Sequence, residues 1–137
     1  MAENDERRIA IGSDTDLILA RQEGRELAAK LGFSRTDATL VATAISELAR
    51  NILAYARQGE IWLRPVHENS RDGVVVVAHD AGPGIPDVEA AMEEGFTTAR
   101  GLGMGLPGAR RLMDEFQILS EVGAGTTVTM KKWRRHG

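Results

Sequence analysis

The chain has no cysteine, and only three phenylalanines, two tryptophans and one tyrosine among its 137 residues. Without cysteine there is neither a disulfide nor a thiolate metal site, which fits a cytoplasmic protein. The three histidines (His67, His79 and His136) are scattered and no H-E-x-x-H run occurs, which argues against a zinc enzyme. Long apolar runs are missing too: the longest, Val74 to Ala78, is far too short to cross a bilayer. The N-terminal MAENDERR is polar and acidic, so no secretory signal is expected. Nor is there an excess of positive charge. The net charge is −3, and residues 1–130 hold 13 basic against 20 acidic side chains, which argues against nucleic acid as the main partner. The basic end, KKWRRHG, reads as a solvated terminus, with contact to an anionic partner as the alternative.

Glycine is present, and it is concentrated. Seven of the 15 glycines fall between Asp80 and Gly108, in DAGPGIPDVEAAMEEGFTTARGLGMGLPG. Glycine weakens helices and strands, so a cluster marks either ordinary turns or a backbone that something approaches closely. Gly82 with Gly84 forms one group, Gly101, Gly103 and Gly105 another, and a short helix is expected at 87–94 between them.

The length predicts one domain, 1–137. Arg8 to Gly12 reads as a first strand, followed by a helix capped by Ser13 and stopped by Gly32. Ser34 and Asp37 resemble a capping box opening the longest helix, about Arg35 to Ala56. Its buried face is Ala38, Val41, Ala42, Ile45, Leu48, Ala49 and Ile52, while Thr39, Thr43, Glu47 and Asn51 form a polar row at spacing four, flanked by Ser46 and Arg50. That row is either the helix's solvent side or a carboxylate and amide held for use.

Glu60 to Val66 alternates like a strand, with Ile61, Leu63 and Val66 on one face and Pro65 implying an edge or bulge. His67 to Gly73 reads as a turn, and Val74 to Ala78 as a central strand covered on both faces. A third helix over Leu106 to Phe116 and a hairpin of Phe116–Val122 and Thr126–Trp133 close the chain. The order predicts an α+β two-layer sandwich with helices on one mixed sheet.

Several nucleotide motifs can be set aside. Gly103-Met104-Gly105-Leu106-Pro107-Gly108 formally matches G-x-G-x-x-G, but FTTARGL before it is no strand. A P-loop is excluded because no Gly-Lys pair exists, and H-R-D and D-F-G are absent. What remains is an ordered set of four parts: Glu47 with Asn51 on a helix, Asp80-x-Gly82-x-Gly84 after a strand, Gly101-x-Gly103-x-Gly105 before a helix, and Gly123-x-Gly125-Thr126 in a turn. This set resembles the Bergerat, or GHKL, ATP-binding fold of gyrase, Hsp90, histidine kinases and anti-sigma-factor kinases. The runs TAISELARNI (43–52), GPGIPD (82–87) and GLGMGLPGARRLMDEF (101–116) narrow the resemblance to serine/threonine switch kinases of the bacterial stressosome.

The resemblance implies helices on one face of a mixed, mostly antiparallel sheet, and ATP with Mg²⁺ as cofactors. It implies that Asn51 is a Mg²⁺ ligand and Glu47 the general base, or the residue that orients the incoming hydroxyl. Asp80 would accept from the adenine amino group, with Gly82, Gly84 and Thr126 at that end. Gly101, Gly103, Met104, Gly105 and Leu106 would hold the phosphates, and Thr97, Thr98 and Arg100 would lie in a lid, where Arg100 either neutralises phosphate charge or is a plain surface residue. The implied substrates are STAS-domain scaffold proteins (RsbR/RsbS-like), and the implied second partner is an RsbU-type phosphatase. The alternatives are an anti-sigma-factor kinase, which sequesters a sigma factor and phosphorylates an anti-anti-sigma protein, and a non-catalytic nucleotide-gated adaptor. No membrane or nucleic-acid partner is expected.

Overall fold

Residues 6–84, 92 and 105–135 are described in the computed structural model of the chain. They form β1 (Arg7–Ile11), α1 (Asp14–Lys30), α2 (Arg35–Tyr55), β2 (Gly59–Glu68), β3 (Arg71–Asp80), α3 (Gly105–Leu112), β4 (Glu115–Glu121) and β5 (Gly125–Trp133). The two long helices begin where their serines cap them. Ser13 Oγ accepts from the Asp16 N–H at 3.3 Å and Ser34 Oγ from the Asp37 N–H at 3.1 Å, each satisfying a donor the helix leaves open. Gly32 ends α1 at φ +90°, a conformation that side chains with a Cβ resist.

The strands form one sheet in the order β1-β2-β3-β5-β4, and all four pairings are antiparallel. The helices pack on one face of it, as expected of a two-layer α+β sandwich. Between the layers lie Leu27 from α1, Ile45, Leu48 and Ile52 from α2, Ile61 and Leu63 from β2, Val74 and Val76 from β3, Leu106 from α3 and Met130 from β5. Each fully buried aliphatic side chain of this kind contributes about 1.5–3 kcal/mol relative to exposure. All seven predicted core positions of α2 are buried.

Among the described residues the sheet is wholly antiparallel rather than mixed, and five further details depart from expectation. Val66 pairs with Gly73 and Ile61 with Ala78, so strand alternation puts Val66 on the opposite face from Ile61 and Leu63. The turn after β2 is two residues, Asn69 and Ser70, rather than His67 to Gly73. Both have positive φ, 52° and 65°, and His67 and Asp72 become cross-strand partners 2.8 Å apart. The middle of β3 is buried on both faces, but the described helices cover only one. On the other, flat side chains take their place: Arg8 lies 4.5 Å over Trp62 and Arg71 lies 4.0 Å over Trp133.

The third helix ends at Leu112, one turn early, because Asp114 N–H donates to the Lys131 carbonyl at 2.9 Å and draws the chain into the sheet. Finally, the basic end is no loose terminus. Lys132 is 3% exposed and donates through Nζ to the Leu112 carbonyl at 2.9 Å, a cation at the negative end of α3. Arg134 and Arg135 pair with Asp72 and Asp114. Pro65 does sit at an edge, since β1 pairs only as far as Leu63.

Candidate active site

The polar row of α2 changes character along its length. Thr39 and Thr43 turn their hydroxyls back onto the Arg35 and Thr39 carbonyls, each at 2.9 Å. One and two turns later, Glu47 and Asn51 are each only 7% exposed. The row therefore starts at solvent and ends inside the molecule. A carboxylate taken out of water is costly unless charge and hydrogen bonds compensate it. Both oxygens of Glu47 are met: Oε1 accepts from the Gly105 N–H at 2.7 Å, and Oε2 accepts from Arg50 Nη1 at 2.5 Å. The two donors come from different elements: Gly105 from the start of α3, Arg50 from the next turn of α2 itself. Gly105 begins α3 with φ +59°, and Leu106 behind it is buried at 1% exposure. Asn51 makes no side-chain hydrogen bond to another described residue.

A second polar group gathers at the end of β3. Asp80 and Thr126 are register partners on the helix-facing side of the sheet, both buried. Asp80 Oδ1 accepts from the Gly82 N–H at 2.9 Å, which fixes the carboxylate where the chain leaves the strand. Thr126 Oγ1 lies 2.8 Å from Ser120 Oγ. Glycine is required at this crossing. Gly84 has φ +79°, and a Cβ there would fall 2.3 Å from the Glu121 carbonyl oxygen. Gly125 has φ +105°, and its Cβ would fall 2.1 Å from the Asp80 carbonyl oxygen.

Gly82 connects the two groups. Its backbone runs against Ala56 at the end of α2, so closely that a Cβ would meet the Ala56 Cβ at 2.6 Å. Nine residue steps of α2, roughly 14 Å at 1.5 Å rise, separate Glu47 from this contact with the Asp80 turn, and Asn51 lies between them. This half of α2 offers a carboxylate and an amide, and a buried acceptor, Asp80, stands beyond its end.

The structure therefore brings Glu47, Asn51, Gly105 and Leu106 together, and Asp80, Gly82, Gly84 and Thr126 together beside them. Thr97, Thr98, Arg100, Gly101, Gly103 and Met104, with the helix expected at 87–94 apart from Met92, lie outside the described residues. Sequence reasoning gave Arg50 no role, although a Glu and an Arg three apart on a helix are neighbours. It missed Ser120, and also Gly59, whose absent Cβ would lie 2.6 Å from the His79 carbonyl and 3.1 Å from Asp80 Cβ. Nothing in a lone glycine after a helix signals that long-range contact.

The histidine kinase-like ATPase domain family matches residues 13–132 of the chain. The serine/threonine-protein kinase RsbT of Bacillus subtilis is 48% identical over 132 residues, covering 96% of this chain and 99% of that protein. An anti-sigma F factor of Caldanaerobacter subterraneus is 32% identical over 118 residues, covering 83% of this chain and 82% of that protein. One from Geobacillus stearothermophilus is 36% identical over 112 residues, covering 76% of this chain and 75% of that protein. The fold is shared with a crystal structure of the RsbU and RsbW domains of a Mycobacterium tuberculosis protein, at TM-score 0.63 and 21% identity, covering 96% of this chain and 34% of that longer one. The chain therefore belongs to the histidine kinase-like ATPase domain family, and within it to the family of the serine/threonine-protein kinase RsbT.

Proposed function

We propose that the chain is an ATP-dependent serine/threonine kinase that phosphorylates STAS-domain scaffold proteins of the RsbR/RsbS type, and that it activates an RsbU-type phosphatase once released from them. The observation that carries this reading is the Glu47 carboxylate, buried one turn from Asn51 and hydrogen-bonded to the first residue of α3. A helix N-terminus beside a held carboxylate and an amide with no side-chain partner among the described residues suits a phosphate and its metal better than a purely structural contact.

The donor set agrees with nucleotide and Mg²⁺. No three His, Cys, Asp or Glu side chains among the described residues gather as a metal site, so a cation here draws on other oxygens. Mg²⁺ binds in that manner, through one or two protein oxygens together with phosphates and water. Asn51 would supply its amide oxygen, and Asp80 and Thr126 would hold the base end. ATP supplies the γ-phosphoryl group. Glu47 takes the proton of the incoming serine or threonine hydroxyl as its oxygen bonds to phosphorus and the bond to the β-phosphate oxygen breaks.

The test is direct. The chain is incubated with Mg-ATP and STAS-domain proteins encoded in the same genome, and phosphate is located by mass spectrometry. Phosphoserine or phosphothreonine on a STAS domain is expected; none on any of them would sink the reading. The similarity to anti-sigma F factors favours one second reading, a kinase that also sequesters a sigma factor. Stable capture of a sigma factor by the purified chain would select it. ATP binding without transfer to any partner would leave the non-catalytic adaptor.

A further inference from the structure

Arg50 stands outside the roles assigned so far, yet it makes the shortest contact in the site. Its Nη1 donates to Glu47 Oε2 at 2.5 Å, while the same carboxylate's Oε1 faces the Gly105 N–H at 2.7 Å. The two approaches differ in kind. Gly105 comes from α3, on the side where phosphates are placed in the reading above. Arg50 lines an open groove between α1 and α2, with Asp14, Leu17, Ile18, Arg21 and Leu53 around it. Its side chain is 43% exposed against 9% for that of Glu47. The guanidinium from that groove takes Oε2, and Oε1 is the oxygen that faces α3.

We infer that Arg50 is a positioning residue: it grips Oε2 of Glu47 from the α1 side and so aims Oε1 at the space in front of α3. The inference rests on the assignment of Glu47 as the base. Without a second anchor, a glutamate side chain has three rotatable bonds, and its other described partner is the Gly105 backbone N–H on the phosphate side. A nucleotide phosphate accepting from that N–H competes with Oε1 for it. Among the described contacts, Arg50 is then the one that keeps the carboxylate in register with the hydroxyl it must deprotonate. Arginine is suited to this, since its charge persists at any working pH and its planar donors fix direction as well as distance.

An ordinary i,i+3 surface pair predicts something different: slight loss of stability and no specific effect on transfer. The discriminating experiment combines Arg50→Ala, Arg50→Lys, Glu47→Gln and the double variant Glu47→Gln/Arg50→Ala. Each is assayed by calorimetry with Mg-ATP and by single-turnover transfer to the STAS-domain acceptor. Arg50→Ala is expected to keep ATP affinity within about threefold while slowing transfer roughly 10- to 100-fold, the scale of a displaced catalytic group. Arg50→Lys, which keeps a cationic donor, should recover most of the rate. In the Glu47→Gln background the second change should add little, because a positioning residue has nothing left to position.

The outcomes separate cleanly. Full-rate transfer by Arg50→Ala, or losses that multiply in the double variant, overturns the positioning role. A large loss of ATP affinity in Arg50→Ala also overturns it, in favour of direct nucleotide contact. A Glu47→Gln variant as fast as wild type removes the base assignment itself, and no transfer by the wild-type chain removes the kinase reading; both take the inference with them, and each is recognisable on its own.

Discussion

At the scale of single residues, two buried carboxylates carry different expectations. Glu47 is anchored at both oxygens, whereas Asp80 has one oxygen on the Gly82 N–H and no described donor at the other. If Glu47 is the base, Glu47→Gln removes proton acceptance and keeps shape. Transfer to the acceptor should then fall by about 10²–10⁴-fold with ATP affinity near wild type. Single-turnover phosphorylation checks this, and an unchanged rate excludes the role. For Asp80→Asn the order reverses. The amide can still accept from the Gly82 N–H, but it weakens the acceptor offered to an adenine amino group. Calorimetric ATP affinity should drop about tenfold or more, on the scale of 1.5–3 kcal/mol for a hydrogen bond to a charged group. Wild-type affinity would refute the adenine assignment.

At the scale of elements, the β2–β3 hairpin is the least economical piece of local geometry. Asn69 and Ser70 both hold positive φ, and serine lacks the ease with which asparagine or glycine adopts it. Ser70→Gly creates the Asn-Gly pair that such two-residue turns favour. It should stabilise the chain by about 0.5–1 kcal/mol, the left-handed strain outweighing the entropy that glycine adds to the unfolded state. Thermal unfolding reads this as a rise of roughly 2–4 °C for a chain of this size, and a fall would contradict the turn assignment. The same hairpin shows where the sequence is legible and where it is not. Helix starts were readable because Ser13 and Ser34 act within a few residues of themselves, and the α2 core because its spacing is local. The turn was misplaced because Asp72-Gly73 resembles a turn pair, whereas cross-strand pairing puts it inside β3. The end of α3 was misjudged for a related reason. RLMDEF suits a helix, but a hydrogen bond from Asp114 to Lys131, remote in sequence, decides against it. Glu47 and Asn51 were legible as a pair, while their burial depends on α3 packing against α2, a contact between residues about 60 apart.

At the scale of the whole molecule, the described site runs along one edge of the helical layer and is built from α2, the first residue of α3 and the ends of β3 and β5. A ligand that spans it would join parts of the chain that otherwise meet through few polar contacts. Binding to the native state alone stabilises by mass action, about 2.7 kcal/mol when free ligand is 100 times its Kd. Mg-ATP at that excess should therefore raise the unfolding temperature by several degrees. Because Asn51 is the proposed protein ligand of the metal, chelating Mg²⁺ with EDTA should remove a large part of that rise in the wild type. In Asn51→Ala the remaining nucleotide-dependent rise should be nearly the same with and without Mg²⁺. Asp80→Asn should do the opposite, lowering the nucleotide-dependent rise while leaving its Mg²⁺ dependence in place. The two variants would then report separately, Asn51 on the metal and phosphates and Asp80 on the base. A rise equally sensitive to Mg²⁺ in Asn51→Ala and wild type would remove the metal from Asn51, and no rise with any adenine nucleotide would remove the ligand from this edge altogether.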